Sequence, residues 1–272
     1  METVTGGCIN NGARIETDSG AVLFLKWNRS APAGMFEAEA GGLRALSSAS
    51  SLRVPKPLAW GDDSEGTAWL LMEHVASGRS TPESERALGE GLAKMHARPV
   101  EGGFGWARDN WIGSLEQRNP TSERWAEFWR DHRIEPQLQL ARRQGLMHAT
   151  VFDDLLDVIP LALADIERPE LLHGDLWGEN WFTSESGEPV LIDPAVFRGH
   201  GEVDLAMSEL FGGFGASFYH AYHAVREAAR AYNAYRKDLY QLYYLLVHAN
   251  LFGSAYEAGC VRAARRVLSE VG

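Results

Sequence analysis

Residues 171–197 carry the sequence Leu171-Leu-His-Gly-Asp-Leu-Trp-Gly-Glu-Asn-Trp-Phe182, a polar turn, and Pro189-Val-Leu-Ile-Asp-Pro-Ala-Val-Phe197. Apolar residues at 181–182 and 190–192 lie on either side of a turn that contains glycine. Such a pattern predicts a β-hairpin. Because Asp175 precedes the first strand and Asp193 follows the second, the hairpin brings both carboxylates to the same end.

The side chains at that end of the hairpin suit phosphoryl transfer. Asp175 can accept a proton from a hydroxyl, whereas Asn180 and Asp193 offer the oxygen ligands that Mg²⁺ takes together with substrate phosphates. The spacing His-x-Asp-x-x-x-x-Asn, followed by a strand and another aspartate, is that of the kinase catalytic arrangement. The alternative is that both aspartates are ordinary loop residues, which the complete ordered set on one predicted hairpin disfavours.

A longer set of segments resembles one family in particular. The segments are His173-Gly-Asp-Leu-Trp-Gly-Glu-Asn180, Asp193-Pro-Ala195, Gly199-His-Gly-Glu-Val-Asp-Leu-Ala206 and Leu210-Phe-Gly-Gly-Phe214. They resemble the bacterial type of the fructosamine kinase (ketosamine-3-kinase) family, in the aminoglycoside phosphotransferase-like branch of the protein-kinase-like fold. The resemblance runs from Gly6 to about Leu268. It implies an α+β, bilobal fold, with a small β-rich nucleotide-binding lobe over 1–74 and a larger, mostly helical catalytic and substrate-binding lobe over 75–272.

The composition of the 272-residue chain excludes several classes of protein. Its 26 Lys and Arg against 37 Asp and Glu give a formal net charge of −11, which argues against a nucleic-acid partner. The two cysteines, Cys8 and Cys260, form no disulfide framework, and their spacing suggests no zinc site. The sequence shows no signal peptide and no apolar run of membrane-spanning length, so it predicts a cytoplasmic protein without a membrane partner.

The first glycine-rich stretch, Gly6-Gly-Cys-Ile-Asn-Asn-Gly12, is interpreted as the loop over the nucleotide phosphates. The resemblance places Gly7 and Cys8 among its ATP contacts. Because members of the family usually have a further N-terminal helix, the sequence leaves open whether the short N-terminus limits ATP binding. A cysteine at this place is associated in the family with disulfide-linked dimers, so the protein is expected to be a monomer or a Cys8-linked dimer; the alternative is an unmodified thiol.

The next segments are predicted to position the ATP phosphates. Residues 13–17 and 21–27 flank a turn and form a predicted hairpin, and Lys26 lies at the end of its second strand. Lys26 is interpreted as the ammonium that reaches the phosphates, the alternative being a surface lysine that lies along apolar neighbours. A helix is predicted from Pro32 to Ser48, and the resemblance makes its Glu39 the partner that holds this lysine.

The remaining strands of the small lobe lead into the predicted hinge. Leu58 to Gly61 and Ala68 to Met72 have the composition of short strands. The three hinge residues implied by the resemblance are Glu73, His74 and Val75. Their backbone groups are expected to bind adenine, so their side-chain identities carry little information.

The larger lobe is predicted to be mostly helical, because its apolar residues recur at helical spacing. The first helix is predicted to start at a capping box, Ser80-Thr-Pro-Glu83. The predicted helices run from this box to near His96, from Thr121 to about Arg143, from Val151 to Ile166, from Leu205 to Phe211, from Leu239 to Leu251 and from Cys260 to Leu268.

Three further side chains are predicted to act around the base Asp175. His173 is expected to support the loop that carries it. Asp204 stands at a helix start and can cap that helix; the kinase-like fold also implies that it bonds to the backbone of the base loop. Trp177 is placed to stack on the sugar of the substrate, the alternative being plain packing.

The resemblance implies an ATP- and Mg²⁺-dependent kinase that phosphorylates the 3-hydroxyl of a ketosamine. Its acceptor is a small ketosamine or a glycated lysine on a protein, and its role is deglycation; the preferred sugar is open. His173-Gly-Asp175 stands where protein kinases have His-Arg-Asp, and Asp193-Pro-Ala195 stands where they have Asp-Phe-Gly. These departures indicate a small-molecule kinase and not a regulated protein kinase. The alternatives are an aminoglycoside- or choline-type phosphotransferase and a non-catalytic nucleotide-binding module.

Overall fold

A computed structural model of the protein describes residues 2–4, 10–63 and 66–272. The predicted phosphate-loop residues Gly7 and Cys8 lie outside these ranges. The described chain forms an N-terminal sheet with one helix, followed by a larger and mainly helical part. In the ranges that the structure describes, no helix is both long enough and apolar enough to cross a membrane.

The N-terminal part is built on a five-stranded antiparallel sheet in the order β1-β2-β3-β5-β4. Its strands are β1 Glu2–Val4, β2 Asn11–Glu16, β3 Val22–Asn28, β4 Pro57–Asp62 and β5 Ala68–Glu73. The predicted hairpin is confirmed, because β2 and β3 pair on either side of a turn in which Gly20 has φ 80°. Strand β3 lies between β2 and β5, so Lys26 is held in the middle of the sheet, opposite Gly12 and Leu70.

Helix α1, Met35–Ala49, packs on strands β4 and β5 and carries Glu39. It begins three residues after the predicted start at Pro32, because Gly34 before it adopts a left-handed conformation with φ 78°. Its buried face is formed mainly by Phe36, Ala40, Leu43 and Leu46. This helical spacing turns one apolar face to the sheet and fixes the rotation of the helix, and with it the place of Glu39.

The predicted helices of the larger part are confirmed, with shifted ends. The α-helices described in this part are α2 Pro82–Ala97, α3 Trp125–Trp129, α4 Glu135–Arg143, α5 Val151–Ala162, α6 Glu202–Leu210, α7 Ala216–Val225, α8 Lys237–Phe252 and α9 Glu257–Val271. The helix expected from Thr121 begins at Trp125, and a π-helical turn, Arg130–Ile134, divides it into α3 and α4. The helix expected to reach Ile166 ends at Ala162, since Leu163 already has the non-helical angles φ −120° and ψ 17°. The sequence did not indicate α7.

The start of α2 differs from the predicted capping box. Thr81, and not Ser80, is the N-cap: its φ of −133° is extended and its Oγ1 accepts the N–H of Ser84 at 3.2 Å. In return, Ser84 Oγ accepts the N–H of Thr81 at 3.0 Å. Because Pro82 fills the first helical position, the box closes one residue later than predicted and uses Ser84 where Glu83 was expected.

Three short antiparallel pairs complete the larger part. They are β6 Asn110–Ile112 with β7 Leu115–Gln117, β8 Glu170–Leu172 with β11 Phe197–Gly199, and β9 Trp181–Thr183 with β10 Pro189–Leu191. The β9–β10 pair is the predicted hairpin, so this prediction is confirmed. The β6–β7 pair was not predicted, because strands of three residues are too short to show an alternating pattern.

The core of the larger part is rich in aromatic rings. Trp125, Phe128 and Trp129 are fully buried. The ring of Trp129 lies 5.0 Å from that of Tyr240 and 5.5 Å from that of Tyr243, both on α8. These contacts fix α8 against α3, and the following turns of α8 reach the cavity described next.

Candidate active site

A cavity of about 810 Å³ lies between the N-terminal sheet and the helical part. It is bounded by the sheet, helix α1, the β9–β10 hairpin and helix α8. The predicted site residues that line it are Lys26, Glu39, Glu73, His74, Val75, Asp175, Trp177, Asn180 and Asp193. The two predicted supporting residues, His173 and Asp204, are 0% exposed and lie behind its wall.

Lys26 lies between two carboxylates in this cavity. Its Nζ donates to Glu39 Oε1 at 2.9 Å and Oε2 at 3.0 Å, and lies 2.9 Å from Asp193 Oδ1. Burial lowers the pKa of Lys26, but the charges of Asp193 and Glu39 together raise it above its ordinary value. Lys26 is therefore a buried, charged ammonium that joins the sheet to α1 and to the Asp193 loop. This geometry excludes the alternative of a surface lysine.

Asp175 has the environment of a base that works near neutral pH. Burial, aided by the charge of Asp193, raises the pKa of Asp175 to about 7, although a hydrogen bond from Asn180 opposes the shift. Asn180 Nδ2 donates to the side-chain Oδ2 of Asp175 at 3.1 Å and to its backbone oxygen at 2.8 Å. A general base is most effective when its pKa lies close to the working pH.

Asn180 and Asp193 have the donor atoms that a magnesium ion needs. Asn180 uses its amide nitrogen for both bonds to Asp175, which leaves its side-chain oxygen available as a ligand. Asp193 has φ 53°, a conformation that residues other than glycine seldom adopt, and such strain is concentrated at functional sites. The described residues contain no group of three or more His, Cys, Asp or Glu that could hold a metal. One carboxylate and one amide oxygen instead match Mg²⁺ that is bound jointly with phosphates.

Asp204 holds the base loop from behind. Its carboxylate accepts the backbone N–H of His173 at 2.7 Å and that of Gly174 at 2.8 Å. His96 Nε2 lies 3.1 Å from the same carboxylate, and Tyr222 lies 2.9 Å from the other ring nitrogen of His96. The predicted bond between Asp204 and the loop backbone is confirmed. The predicted helix cap is wrong, since α6 starts without a side-chain cap and the carboxylate is used by the loop.

His173 joins the base loop to the strand that leads to Asp193. Its Nε2 lies 2.9 Å from the carbonyl oxygen of Ile192, and its Nδ1 accepts the N–H of Asp175 at 3.3 Å. An acceptor at Nδ1 places the ring proton on Nε2. Burial lowers the pKa of His173, so the ring is neutral and acts as a positioning group between the two loops.

The model of the fructosamine kinase family matches residues 1–270. The chain belongs to the fructosamine kinase family. A probable ketoamine kinase of Synechocystis is 43% identical over 259 residues, which cover 94% of this chain and 85% of the relative. The chloroplastic protein-ribulosamine 3-kinase of Arabidopsis thaliana is 41% identical over 263 residues, which cover 95% of this chain and 79% of the relative.

Solved structures show the same relationship. The crystal structure of a presumed fructosamine-3-kinase from Haemophilus somnus has a TM-score of 0.89 at 29% identity and covers 98% of this chain and 90% of that one. A thermostable mutant of the aminoglycoside phosphotransferase APH(4)-Ia has a TM-score of 0.64 at 18% identity, covers 99% of this chain and 92% of that one, and shares its fold. These similarities confirm the predicted bilobal, protein-kinase-like fold.

The predicted hinge begins at the last residue of strand β5 and continues directly beyond it. His74 and Val75 line the cavity between the last strand of the sheet and the helical part. The Glu73 carboxylate is 2.7 Å from Arg53 Nη2, and the Glu73 N–H donates to the carbonyl oxygen of Lys56 at 2.9 Å. A contact of Glu73 with a nucleotide would therefore have to use its carbonyl oxygen.

Four rings near Asp175 form a row, which we call the aromatic row: Trp177, Phe211, His248 and Phe252. Of these four residues, the sequence indicated only Trp177. The ring of Trp177 lies 6.3 Å from that of Phe211, which lies 4.5 Å from His248, and His248 lies 5.6 Å from Phe252. Trp177, His248 and Phe252 line the cavity, and Phe211 packs behind them, between Trp177 and His248.

One signal could have identified His248. The residues of α8 that line the cavity are Tyr244, Val247, His248, Leu251 and Phe252. The first four have the spacing of a single helix face, and His248 is the polar one among apolar neighbours. Burial lowers the pKa of His248, and its Nδ1 lies 2.8 Å from the carbonyl oxygen of Tyr244. The ring is therefore neutral, and its Nε2 is left to serve as an acceptor on the cavity side.

A buried amide cluster on the β6–β7 hairpin fixes the Asp193 loop. Asn110 Nδ2 donates to the carbonyl oxygen of Val196 at 2.8 Å, and Gln117 Nε2 donates to that of Ala195 at 3.2 Å. Both amides are nearly inaccessible, with exposed fractions of 6% and 2%. The cluster joins residues far apart in sequence, so no local pattern could reveal it. It holds the segment after Asp193 in place, and Asn110 itself lines the cavity.

Gly174 is required by the close approach of the base loop to the Asp193 loop. It has φ 84°, and a Cβ atom added there would collide with the carbonyl oxygen of Ala195. We expect Gly174→Ala to lower the free energy of unfolding by about 2–4 kcal/mol and to reduce kcat, because the two loops would have to separate. Denaturant unfolding and steady-state kinetics would measure both effects.

Gly187→Ala is the matched control for Gly174→Ala. Gly187 has φ 87° but lies in an exposed turn with no atom within 4 Å of the added Cβ. Only the backbone penalty remains, about 1 kcal/mol, and activity should be unchanged. Equal losses of stability in the two variants would mean that the contact with Ala195 does not contribute to the free energy of unfolding.

Proposed function

We propose that the protein transfers the γ-phosphoryl group of ATP to the 3-hydroxyl of a ketosamine, in protein deglycation. The observation that carries the proposal is the meeting of Asp175, Asn180 and Asp193 with the Lys26–Glu39 pair in one cavity. The names of the relatives, ketoamine kinase and ribulosamine 3-kinase, support the choice of acceptor and of hydroxyl. The fold alone would leave the acceptor undefined.

In this proposal Asp175 orients the acceptor hydroxyl and takes its proton as the new phosphate ester forms. Asn180 and Asp193 would hold Mg²⁺, which neutralises charge on the phosphates. Lys26 contributes a fixed positive charge where the transferred group has to lie, and Glu39 prevents it from turning away. Their mutual contacts fix these groups relative to one another, so they lose little freedom at the moment of reaction.

In this proposal each lobe binds one of the two substrates. We propose that residues 1–74 bind the nucleotide, that 75–272 carry the base and the acceptor, and that His74 and Val75 contact adenine at the junction. ATP would then run from the hinge past Lys26, and the ketosamine would enter along the aromatic row. Each reactant reaches the Asp175–Asp193 region from its own side, as an in-line transfer requires.

Trp177 is proposed to stack on the sugar of the acceptor. Its ring lies beside Asp175 in the cavity wall and contacts Phe211. We expect Trp177→Ala to raise KM for the ketosamine about tenfold or more, with a much smaller change in KM for ATP, because the ring lies on the acceptor side. Steady-state kinetics with each substrate varied in turn would measure this. Equal effects on the two KM values would contradict the stacking role.

Measurement of ADP release with Mg·ATP and a panel of acceptors tests the proposed function. The panel contains fructosyl-lysine, ribulosyl-lysine, kanamycin and choline. Turnover of a ketosamine supports the proposal and identifies the preferred sugar. Turnover of kanamycin or choline alone would retain the kinase chemistry but replace the acceptor. Absence of turnover, with ATP still bound, would favour the non-catalytic nucleotide-binding alternative.

Two further expectations stay predictions of this proposal. The acceptor amine belongs either to a free amino acid or to a lysine on a protein, and glycated peptides added to the panel would distinguish these. The protein is expected in the cytoplasm as a monomer or a Cys8-linked dimer. The second cysteine, Cys260, is buried, and burial raises the pKa of its thiol to about 12, so it is not expected to react.

A further inference from the structure

Glu179 is an exposed acidic residue in the cavity wall that has no part in the mechanism above. It lies in the base loop, four residues after Asp175 and directly before the proposed metal ligand Asn180. Throughout the part of the chain that the structure describes, no hydrogen bond or ion pair engages its side chain. An unpaired carboxylate at the opening of a binding cavity is available to a ligand.

The other carboxylates of the cavity already have partners. Glu39 and Asp193 both contact Lys26, and Glu73 pairs with Arg53. Asp175 accepts a bond from Asn180 and has a pKa raised by burial. Among the described residues that line the cavity, Lys26 is the only lysine or arginine. The charge of Glu179 is therefore uncompensated, and a positively charged ligand would compensate it.

The contacts of its neighbours place Glu179 next to the aromatic row. A Cβ atom added to Gly178 would lie 2.8 Å from the Cα of Gly213, so the segment 177–179 packs directly on the loop that carries Phe211. Phe211 in turn contacts Trp177 and His248 of the aromatic row. The hinge, where adenine is expected, belongs instead to the end of strand β5 in the N-terminal sheet.

We propose that Glu179 binds the protonated amine of the acceptor and so determines specificity for cationic ketosamines. The inference rests on the proposed function. In a ketosamine the amine is attached to C1 of the sugar and the accepting hydroxyl to C3, so a hydroxyl held at Asp175 places the ammonium close to the base loop. Glu179 supplies a charge-assisted hydrogen bond to it, and the rings of the aromatic row cover the adjoining carbon chain.

A pair of acceptors that differ only in charge tests this inference. One is the fructosamine of a simple alkyl amine, and the other is its neutral analogue with an ether oxygen in place of the amine nitrogen. For the wild type, kcat/KM should be higher with the amine, and added salt should reduce the difference. For Glu179→Gln, the ratio of the two kcat/KM values should fall about 3- to 10-fold, mainly through KM for the amine.

Glu185→Gln is the matched control. Glu185 lies in the β9–β10 turn, is exposed and does not line the cavity, so its replacement removes the same charge from a site outside the cavity. The ratio should stay at the wild-type value in this variant. Equal ratios for both variants and the wild type would overturn the inference and leave the proposed function intact.

Two other outcomes also decide against the inference. A rise of KM for ATP in Glu179→Gln, with no change for the amine, would show that the carboxylate faces the nucleotide. A salt-independent preference of the wild type for the amine would exclude an ionic contact without any variant. If the wild type turns over no ketosamine at all, the proposed function fails first and the inference with it.

Discussion

Asp175→Asn should lower kcat for ketosamine phosphorylation by about 10²–10⁴-fold, because the amide cannot accept the proton of the attacking hydroxyl. Binding of Mg·ATP should persist, since Asn180, Asp193 and Lys26 are unchanged. ADP release measures the first effect. A thermal shift with Mg·ATP measures the second, because a ligand that binds the native state raises its melting temperature. A variant that kept more than a tenth of wild-type kcat would exclude Asp175 as the base.

The raised pKa of Asp175 also predicts a pH profile. With a pKa of about 7, the carboxyl becomes increasingly protonated below neutral pH and can no longer accept a proton. The kcat/KM of the wild type should therefore fall about tenfold per pH unit below about pH 6.5, since this parameter reports the free enzyme. In Asp175→Asn this acidic limb should disappear from the residual activity. A limb that persisted would belong to another group.

The same shift makes Asp175 a source of instability in the folded protein. Its folded pKa lies above the ordinary value of 3.8, so between these values the native state binds more protons than the unfolded state, and its stability falls as pH rises. At pH 8, Asp175→Asn should raise the free energy of unfolding by about 1–3 kcal/mol, and the gain should vanish near pH 4. Urea unfolding at the two pH values would show whether the base is held at a cost to stability, as at many active sites.

The parts of the fold that the sequence predicted are those that depend on neighbours in the chain. The β9–β10 hairpin follows from two apolar runs around a glycine turn, and the helices follow from their spacing. The contact between Lys26 and Glu39 followed from the family pattern, which relates a strand to the next helix. Local sequence carries this information because a turn or a helix face is decided within a few residues.

The features that were missed depend on contacts between distant segments. Asn110 and Gln117 bond to carbonyl groups about eighty residues later in the chain, and nothing around them marks them as buried. His248 was hidden in an apolar helix, where only the position of the helix turns it to the cavity. The predicted capping box lies one residue early because Ser80 and Glu83 have the expected spacing and Ser is the better cap, whereas the fold uses Thr81 and Ser84. Tertiary packing settles such choices.

Substitution of Asp204 is expected to have the other large effect, a loss of stability. Replacement by alanine would leave three buried donors without an acceptor: the backbone N–H groups of His173 and Gly174, and the Nε2–H of His96. Each unsatisfied buried donor costs about 1–3 kcal/mol, so Asp204→Ala should lower the free energy of unfolding by about 3–6 kcal/mol. The melting temperature should fall by about 6–15 °C, as measured by calorimetry.

The control for Asp204→Ala is Asp153→Ala. Asp153 forms an ion pair with Arg142 at 2.6 Å, but its side chain is 60% exposed, so its loss should cost less than about 1 kcal/mol. The comparison separates the loss of a buried acceptor from the loss of a negative charge. Similar losses of stability in the two variants would contradict the role assigned to Asp204.

Asp204→Ala should also reduce kcat at temperatures where the variant is still folded. The carboxylate is buried and does not line the cavity, so its effect has to pass through the backbone of the base loop. Other bonds also hold that loop, among them the bond from the Tyr244 hydroxyl to the Gly174 carbonyl at 2.8 Å and that from the Ala195 N–H to the His173 carbonyl at 2.9 Å. A displaced loop changes the geometry at Asp175 but not the nucleotide contacts of the sheet. We therefore expect kcat to fall about 10- to 100-fold while KM for ATP changes little. A fall in the fraction of active protein, with unchanged kcat per folded molecule, would show that Asp204 stabilises the fold without positioning the base.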